Sequence, residues 1–301
     1  MYQRLLVPLD GSRLAEVVLP IVTRLAAALG ATAILLHVLE RGAPGSVHGE
    51  RHLQALDEAE LYLRDVAARL RSQGVAVETH AHEAPVGDVP ESIARHAIEQ
   101  ECDLIVMCTH GSGGVRQLLF GSIAQHVLKR GIAQVLLVRA ELDSENVAFE
   151  PQTILVPLDG SAAAEAALSP AGALARHLGS GVHLVMVVDT PGTVRGERQV
   201  VAQTLPAATR ATLDLEEVEA NVYLEVAAAR LRAASIPVTT EVRRGHASQA
   251  LAGEAAEPGI GLVIVATHGR AGVQAIWAGS VTARLLARTR APILLLRTIE
   301  P

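Results

Sequence analysis

The chain has 301 residues, room for about two domains at roughly 150 residues each, and each half could bury a core without disulfide or metal staples. Its 26 basic and 32 acidic side chains leave a net charge of −6, and aromatic residues make up 2%. That balance argues against a general nucleic-acid binder, which needs positive charge for phosphates and aromatic rings for bases. Half the residues are hydrophobic and 19% are charged, which excludes extended disorder.

The chain enters an apolar strand, Arg4–Leu9, with no charged-then-apolar leader before it. No apolar stretch is long enough to span a bilayer, so the expectation is a cytoplasmic protein without membrane contact. Helical spacing follows over Ser12–Leu29, then a strand over Ala33–Leu39, a helix over His52–Arg71 and a strand over Val75–His80. A helix over Val89–Gln100, a strand over Leu104–Cys108, a helix over Ser122–Arg130 and a strand over Gln134–Arg139 complete the first half. A polar stretch at 141–151 reads as a linker between domains at 1–140 and 152–301. The second half has strands at Thr153–Leu158, His183–Val188, Val238–Val242, Leu262–Ala266 and Ile293–Arg297. Strands apolar on both faces and separated by helices predict a parallel sheet between helical layers, hence two doubly wound α/β domains.

The halves are copies. Leu6-Val7-Pro8-Leu9-Asp10-Gly11-Ser12 returns as Leu155-Val156-Pro157-Leu158-Asp159-Gly160-Ser161, 149 residues on. Thr109-His110-Gly111 returns as Thr267-His268-Gly269, and Gly121-Ser122 as Gly279-Ser280, both 158 residues on. The second copy therefore holds an insertion, expected at 191–212 where the pattern is weakest. A period of this length means domain duplication rather than a solenoid. Pro20 and Pro170 fall inside the first helix of each copy and should kink or interrupt it.

The functional signal follows the fourth strand. Thr109-His110-Gly111-Ser112-Gly113-Gly114 leads to Gly121-Ser122 at a helix start, and Thr267-His268-Gly269-Arg270-Ala271-Gly272 leads to Gly279-Ser280. Glycines let a phosphate reach main-chain N–H groups, and the helix start favours an anion. The same residues also suit a tight turn and a plain helix cap. What favours the cradle is Asp10 and Asp159 at the end of the first strand, since first and fourth strands flank the ligand crevice of such sheets. With one lysine in the chain, Lys129, a divalent cation is the natural bridge between carboxylate and phosphates. Cys102 and Cys108 form no CxxC and read as core packing. The histidines lack a metal-ligand spacing such as HExxH and read as solvated or satisfied by neighbours.

Both halves resemble universal stress protein domains, on the Pro-x-Asp-x-Ser of the first strand and the G-x2-G-x9-G-[ST] pattern after the fourth. The resemblance covers nearly the whole chain. It implies a five-stranded parallel sheet of order 3-2-1-4-5 in each domain and binding of ATP, or of ADP or AMP, with Mg2+ or Mn2+. It assigns Asp10 and Asp159 to the ribose or metal region and the backbone at Val38 and Val187 to the adenine. It assigns Gly111, Gly114, Gly121 and Ser122, with Gly269, Gly272, Gly279 and Ser280, to the phosphates. The family's first motif glycine is replaced by Cys108 in one copy and Ala266 in the other, each adding a Cβ near the nucleotide. His110 and His268 follow the family's Ser/Thr-His-Gly and read as turn stabilisers beside the ligand.

No catalytic residues emerge. A Walker P-loop, a GxGxxG fingerprint after either first strand, a GxSxG elbow and an HxGH signature are all absent. The resulting expectation is a nucleotide-binding stress-response protein that changes shape or partners with ligand, with weak ATP hydrolysis at most. An alternative is an interaction protein with vestigial sites, working through its sheet edges. Its fifth strands would pair the two halves with each other or two chains as a homodimer. A small-molecule carrier using the 191–212 insertion as a lid is a third.

Overall fold

The computed structural model describes residues 1–40, 46–47, 50–51, 53–85, 88–109, 133–139, 149–268, 285 and 288–298. Contacts divide the chain into two compact units, residues 1–150 with 292–295, and residues 151–291 with 296–301.

The first unit holds β1 (Arg4–Pro8), β2 (Thr32–Glu40), β3 (Ala76–Ala84), β4 (Leu104–Thr109) and β5 (Gln134–Arg139). Their order is β3-β2-β1-β4-β5, the 3-2-1-4-5 winding, and every pair is parallel. Leu5, Leu6 and Val7 of β1 are fully buried because helices cover both faces of a central strand. Apart from this sheet, Ser46–Val47 and Glu50–Arg51 form a short antiparallel ladder.

Pro20 breaks the first helix in two, α1 (Arg13–Glu16) and α2 (Leu19–Leu29). It has no N–H to offer the Glu16 carbonyl one turn earlier, so it sits in the first turn of α2, where that loss is free. Gly30 ends α2 in the left-handed conformation, φ 65°. Helices α3 (Leu56–Ser72) and α4 (Val89–Glu99) complete the described part of this unit.

The second unit repeats the design. Its strands are β6 (Thr153–Leu158), β7 (Gly181–Val188), β8 (Val238–Arg244) and β9 (Ile260–His268), while β10 (Ile293–Thr298) is split, residues 293–295 falling with the first unit and 296–298 with the second. Parallel pairing gives β8-β7-β6-β9, and β10 stands beside β9. Pro170 divides α5 (Ala162–Glu165) from α6 (Leu168–Leu178) as Pro20 does in the first copy.

The inserted segment is helical: it forms α7 (Glu197–Thr204) and the start of α8 (Pro206–Arg232), whose later turns answer to α3, and α9 (Ala247–Glu254) follows β8. Its sequence pattern is weak for a physical reason. No residue of α7 is buried, while α8 buries Leu213, Leu224 and Leu231 on one side and exposes Leu215, Val218, Val222 and Val226 on the other. A helix apolar on two faces shows little periodic contrast. Among the described residues, no helix is long and apolar enough to cross a membrane.

Candidate functional site

The crevice of such a sheet opens beyond the carboxyl ends of the first and fourth strands. There Asp-Gly-Ser does the same local work in both copies. The Ser12 N–H and Oγ–H donate to Asp10 Oδ1 at 2.9 and 2.6 Å, and Ser12 Oγ accepts the Ala15 N–H at 3.1 Å, capping α1. In the second copy Ser161 donates to Asp159 Oδ1 at 3.0 and 2.6 Å and caps α5 through Ala164 at 3.1 Å. Gly11 and Gly160 between them have φ of 89° and 82°, which only glycine adopts without strain. One carboxylate oxygen of each aspartate is thus spent on a turn, a role the sequence reading did not assign.

The charge of Asp10 still reaches the end of β4. Cys108, buried at the end of β4, is pushed up to about 12, by burial first and by the charge of Asp10 second. Cys102 is also buried, and both thiols are free, as core cysteines should be. Ala266 occupies the corresponding place near the end of β9 and is half-buried.

Val38 and Val187 lie on the other wall, both half-buried. The Leu9 N–H donates to the Leu36 carbonyl at 2.9 Å, so that carbonyl faces β1. Main-chain groups of a strand alternate sides with a period of two, so Val38 turns its N–H and C=O the same way. The paired register of β1 with β2 ends at Pro8 and Leu36, short of Val38, so those groups look past the end of β1. Val187 stands at the matching position, beyond the last β6–β7 pair, Leu158 and Met186.

Two tyrosines add a feature that sequence reasoning missed. Tyr62 on α3 and Tyr223 on α8 occupy equivalent places, each beside a helix-to-helix ion pair: Arg69–Glu16 at 2.7 Å and Arg230–Glu165 at 2.8 Å. Burial, then Glu165, then Asp159 push the Tyr223 phenol up to about 12, with Arg230 opposing. Tyr62 is raised in the same way by burial, Glu16 and Asp10. Among the described residues, no partner meets hydrogen-bond distance and angle at either buried hydroxyl. The signal was available, for two of the chain's three tyrosines fall at matching points of the repeat.

Around Tyr223 the second unit opens a cavity of about 850 Å³, lined by Gly160, Val187, Arg195, Arg198, Glu216, Gly245 and His246 among others. Arg198 pairs with Glu216 at 2.6 Å. The loop after β7 is fixed by Thr193, which accepts the Thr190 N–H at 2.7 Å and donates to Asp189 at 3.0 Å. The volume suits a small-molecule ligand.

The predicted cradle residues His110, Gly111, Gly114, Gly121, Ser122, Gly269, Gly272, Gly279 and Ser280 lie outside the described residues. His268 ends β9, and its side chain lies outside them as well.

The model of the universal stress protein family matches residues 1–139 and 151–297. A universal stress protein from Methanocaldococcus jannaschii is 26% identical over 158 residues, 46% of this chain and 96% of that relative. The crystal structure of a universal stress protein from Archaeoglobus fulgidus is similar with a TM-score of 0.69 at 20% identity, covering 98% of this chain and 96% of that one, which speaks for the fold. A universal stress protein solved in complex with cAMP is 23% identical, with a TM-score of 0.36, over 46% of this chain and 98% of that one.

Proposed function

The chain belongs to the universal stress protein family, and from that premise we propose that it binds an adenine nucleotide, ATP foremost, and acts in stress response through ligand-dependent shape or partner choice. The observation that carries this is the cavity beside β7, with the Tyr223 hydroxyl buried in its wall and no group at hydrogen-bond distance and angle to it among the described residues. A buried polar atom without a partner costs about 1–3 kcal/mol, and a ligand supplying that partner recovers it. The residues fit a nucleotide: main-chain groups at Val187 for the adenine and Arg195 and Arg198 as positive charge for phosphates line the cavity, and Asp159, which precedes the lining Gly160 in the chain, would serve the ribose or a cation. The chain's glycines at 269, 272 and 279, with Ser280, would cradle the phosphates. In the first domain Asp10, Val38, Gly111, Gly114, Gly121 and Ser122 take the same parts. A bound Mg2+ or Mn2+ would supply charge neutralisation between carboxylate and phosphates.

The two domains, 1–140 and 152–301, each carry one such site. Cys108 and Ala266 narrow the approach to the ribose and favour a smaller or more weakly held ligand. The hydroxyl–carboxylate pairs of the crevices, Ser12 with Asp10 and Ser161 with Asp159, are engaged in a turn and a helix cap, so weak turnover at most is expected. Titration calorimetry with ATP, ADP and AMP, with and without Mg2+, tests the proposal. Binding of at least one nucleotide, lost in Gly121→Val and Gly279→Val with the fold retained, is expected. Absence of heat and of thermal stabilisation for all three overturns it.

A further inference from the structure

We propose that the second unit carries a divalent transition-metal site formed by His183 Nε2, Glu241 Oε2 and Glu254 Oε2, apart from the nucleotide crevice. The three side chains come from three adjacent elements. His183 is on β7, Glu241 is on β8, and Glu254 closes α9, which packs over both strands. In the register His183 pairs with Thr239, so Thr239, Glu241 and Arg243 share the face on which His183 stands.

The spacing is that of ligands around an ion. His183 Nε2 lies 3.4 Å from Glu254 Oε2 and 3.7 Å from Glu241 Oε2, and one donor atom from each of the three side chains falls within 4.8 Å of the other two. These separations are too long for N–H···O hydrogen bonds. A tetrahedral centre with metal–ligand bonds of about 2.0–2.1 Å has ligand-to-ligand edges of about 3.3–3.4 Å, close to what His183 and Glu254 already show.

The outer contacts are also those of a built site. Each carboxylate turns its other oxygen to Arg243: Nε lies 3.0 Å from Glu241 Oε1, and Nη2 pairs with Glu254 Oε1. The Thr239 hydroxyl meets His183 Nδ1 at 2.8 Å, which fixes the ring and leaves Nε2 facing the carboxylates. Two carboxylates against one guanidinium leave a net negative charge at the point where the three atoms converge. Glu254 is 6% exposed, His183 14% and Glu241 37%, so the cluster is enclosed on the helix side and open beside Glu241. Three protein ligands with one open side is the pattern that keeps a water on the metal. Imidazole with two carboxylates suits Zn2+, and after it Mn2+.

His183 precedes Val187 by four residues along β7, about 13 Å at 3.3 Å per residue, so the site is distinct from the crevice. The first unit provides a built-in comparison. Following the paired register through both copies, Ile34, His80 and His82 take the places of His183, Glu241 and Arg243, and the 158-residue offset of the repeat sets His96 against Glu254. There the rings of His82 and His96 stack at 4.9 Å, and their Nε2 atoms have no hydrogen-bond partner among the described residues.

The test uses the full chain, stripped with a chelator, in a His96→Gln background that weakens the first unit's histidine cluster. Zn2+ is titrated calorimetrically, thermal unfolding is followed with and without it, and Co2+ is used as an optical probe. One Zn2+ per chain, a rise in Tm and the intense visible bands of four-coordinate Co2+ are expected. His183→Ile, which copies the first unit, and Glu254→Gln should each remove all three, while Thr239→Ala weakens Zn2+ about 10- to 100-fold. Nucleotide titration of His183→Ile stays as in the parent, which separates this site from the crevice. Zn2+ binding that survives both His183→Ile and Glu254→Gln, or no binding in the parent, overturns the proposal and leaves the cluster an ion-pair network.

Discussion

Tyr223→Phe should move stability and ligand affinity in opposite directions. The hydroxyl is buried with no partner at hydrogen-bond distance and angle among the described residues, and Glu165 stands near enough to raise the phenol. An unmet buried hydroxyl costs about 1–3 kcal/mol. The lower end applies because the ring is half-buried and the cavity is open to water. Removing the oxygen should therefore stabilise the ligand-free second unit by about 1 kcal/mol, a rise in Tm of roughly 2–4 °C for a unit near 150 residues. If a bound nucleotide supplies the missing partner, the variant forfeits one neutral hydrogen bond of about 0.5–1.5 kcal/mol. That is a loss of roughly two- to twelve-fold in affinity at 1.4 kcal/mol per decade. Differential scanning fluorimetry without ligand and calorimetry with ATP and Mg2+ read the two effects. A lower ligand-free Tm with unchanged affinity would refute the reasoning, because the hydroxyl would then be serving Glu165 and the fold.

Two further outcomes follow from packing and charge. Gly261→Ala should destabilise the second unit by about 1–3 kcal/mol, since the added Cβ would lie 2.7 Å from Pro151 Cβ and closer still to its Cα. Thermal unfolding that does not change would refute it. The first unit should weaken in mild acid through His82 and His96, both held below their ordinary value of 6.5, chiefly by burial and then by Arg95 for His82 and by His82 for His96. The groups facing them are Glu60, Arg64 and Arg71 from α3, His80 from β3, and Arg95 and Glu99 from α4. The folded state resists protonation that the unfolded chain accepts. Stability is therefore full above pH 6.5 and is lost as pH falls from there toward the depressed folded values. Solvent screening of half-exposed rings limits the loss to on the order of 1 kcal/mol. Stability curves from pH 7.5 to 5 should slope down in the parent and flatten in the His82→Gln, His96→Gln double variant; equal slopes would refute the assignment.

The sequence was most legible where burial is two-sided. Gln134–Arg139 and Thr153–Leu158 are read to the residue because a strand covered on both faces is a bounded apolar run. The third strands were read short. Ala76–Ala84 lies at the edge of its sheet and carries histidine and glutamate along its length, so its apolar signal fades before the ladder does. The inserted helices were unreadable for the opposite reason, because apolar residues on two faces of α8 erase the period. At the site, Asp10 and Asp159 were legible as a repeated motif. Their bond to the following serine was not, since the same three letters serve a turn, a cap and a ligand equally. Tyr62 and Tyr223 lie far along the chain from the motif and reach the crevice only through packing of α3 and α8.

Duplication separates what the fold needs from what each copy does. Glu16, Tyr62 and Arg69 keep their identity as Glu165, Tyr223 and Arg230, and the Asp-Gly-Ser turn keeps its hydrogen bonds to within 0.1 Å. These residues surround one crevice, so their retention marks it as common to both units. The face under the third strand is different: histidines 80, 82 and 96 in one copy answer to Glu241, Arg243 and Glu254 in the other, on the same backbone. Folding cannot demand both sets. One backbone has thus been given a cluster of imidazole nitrogens, and its copy a pair of carboxylates braced by an arginine. The chemistry the two faces can hold differs accordingly: a cluster sensitive to acid in the first unit, and a socket for a cation in the second.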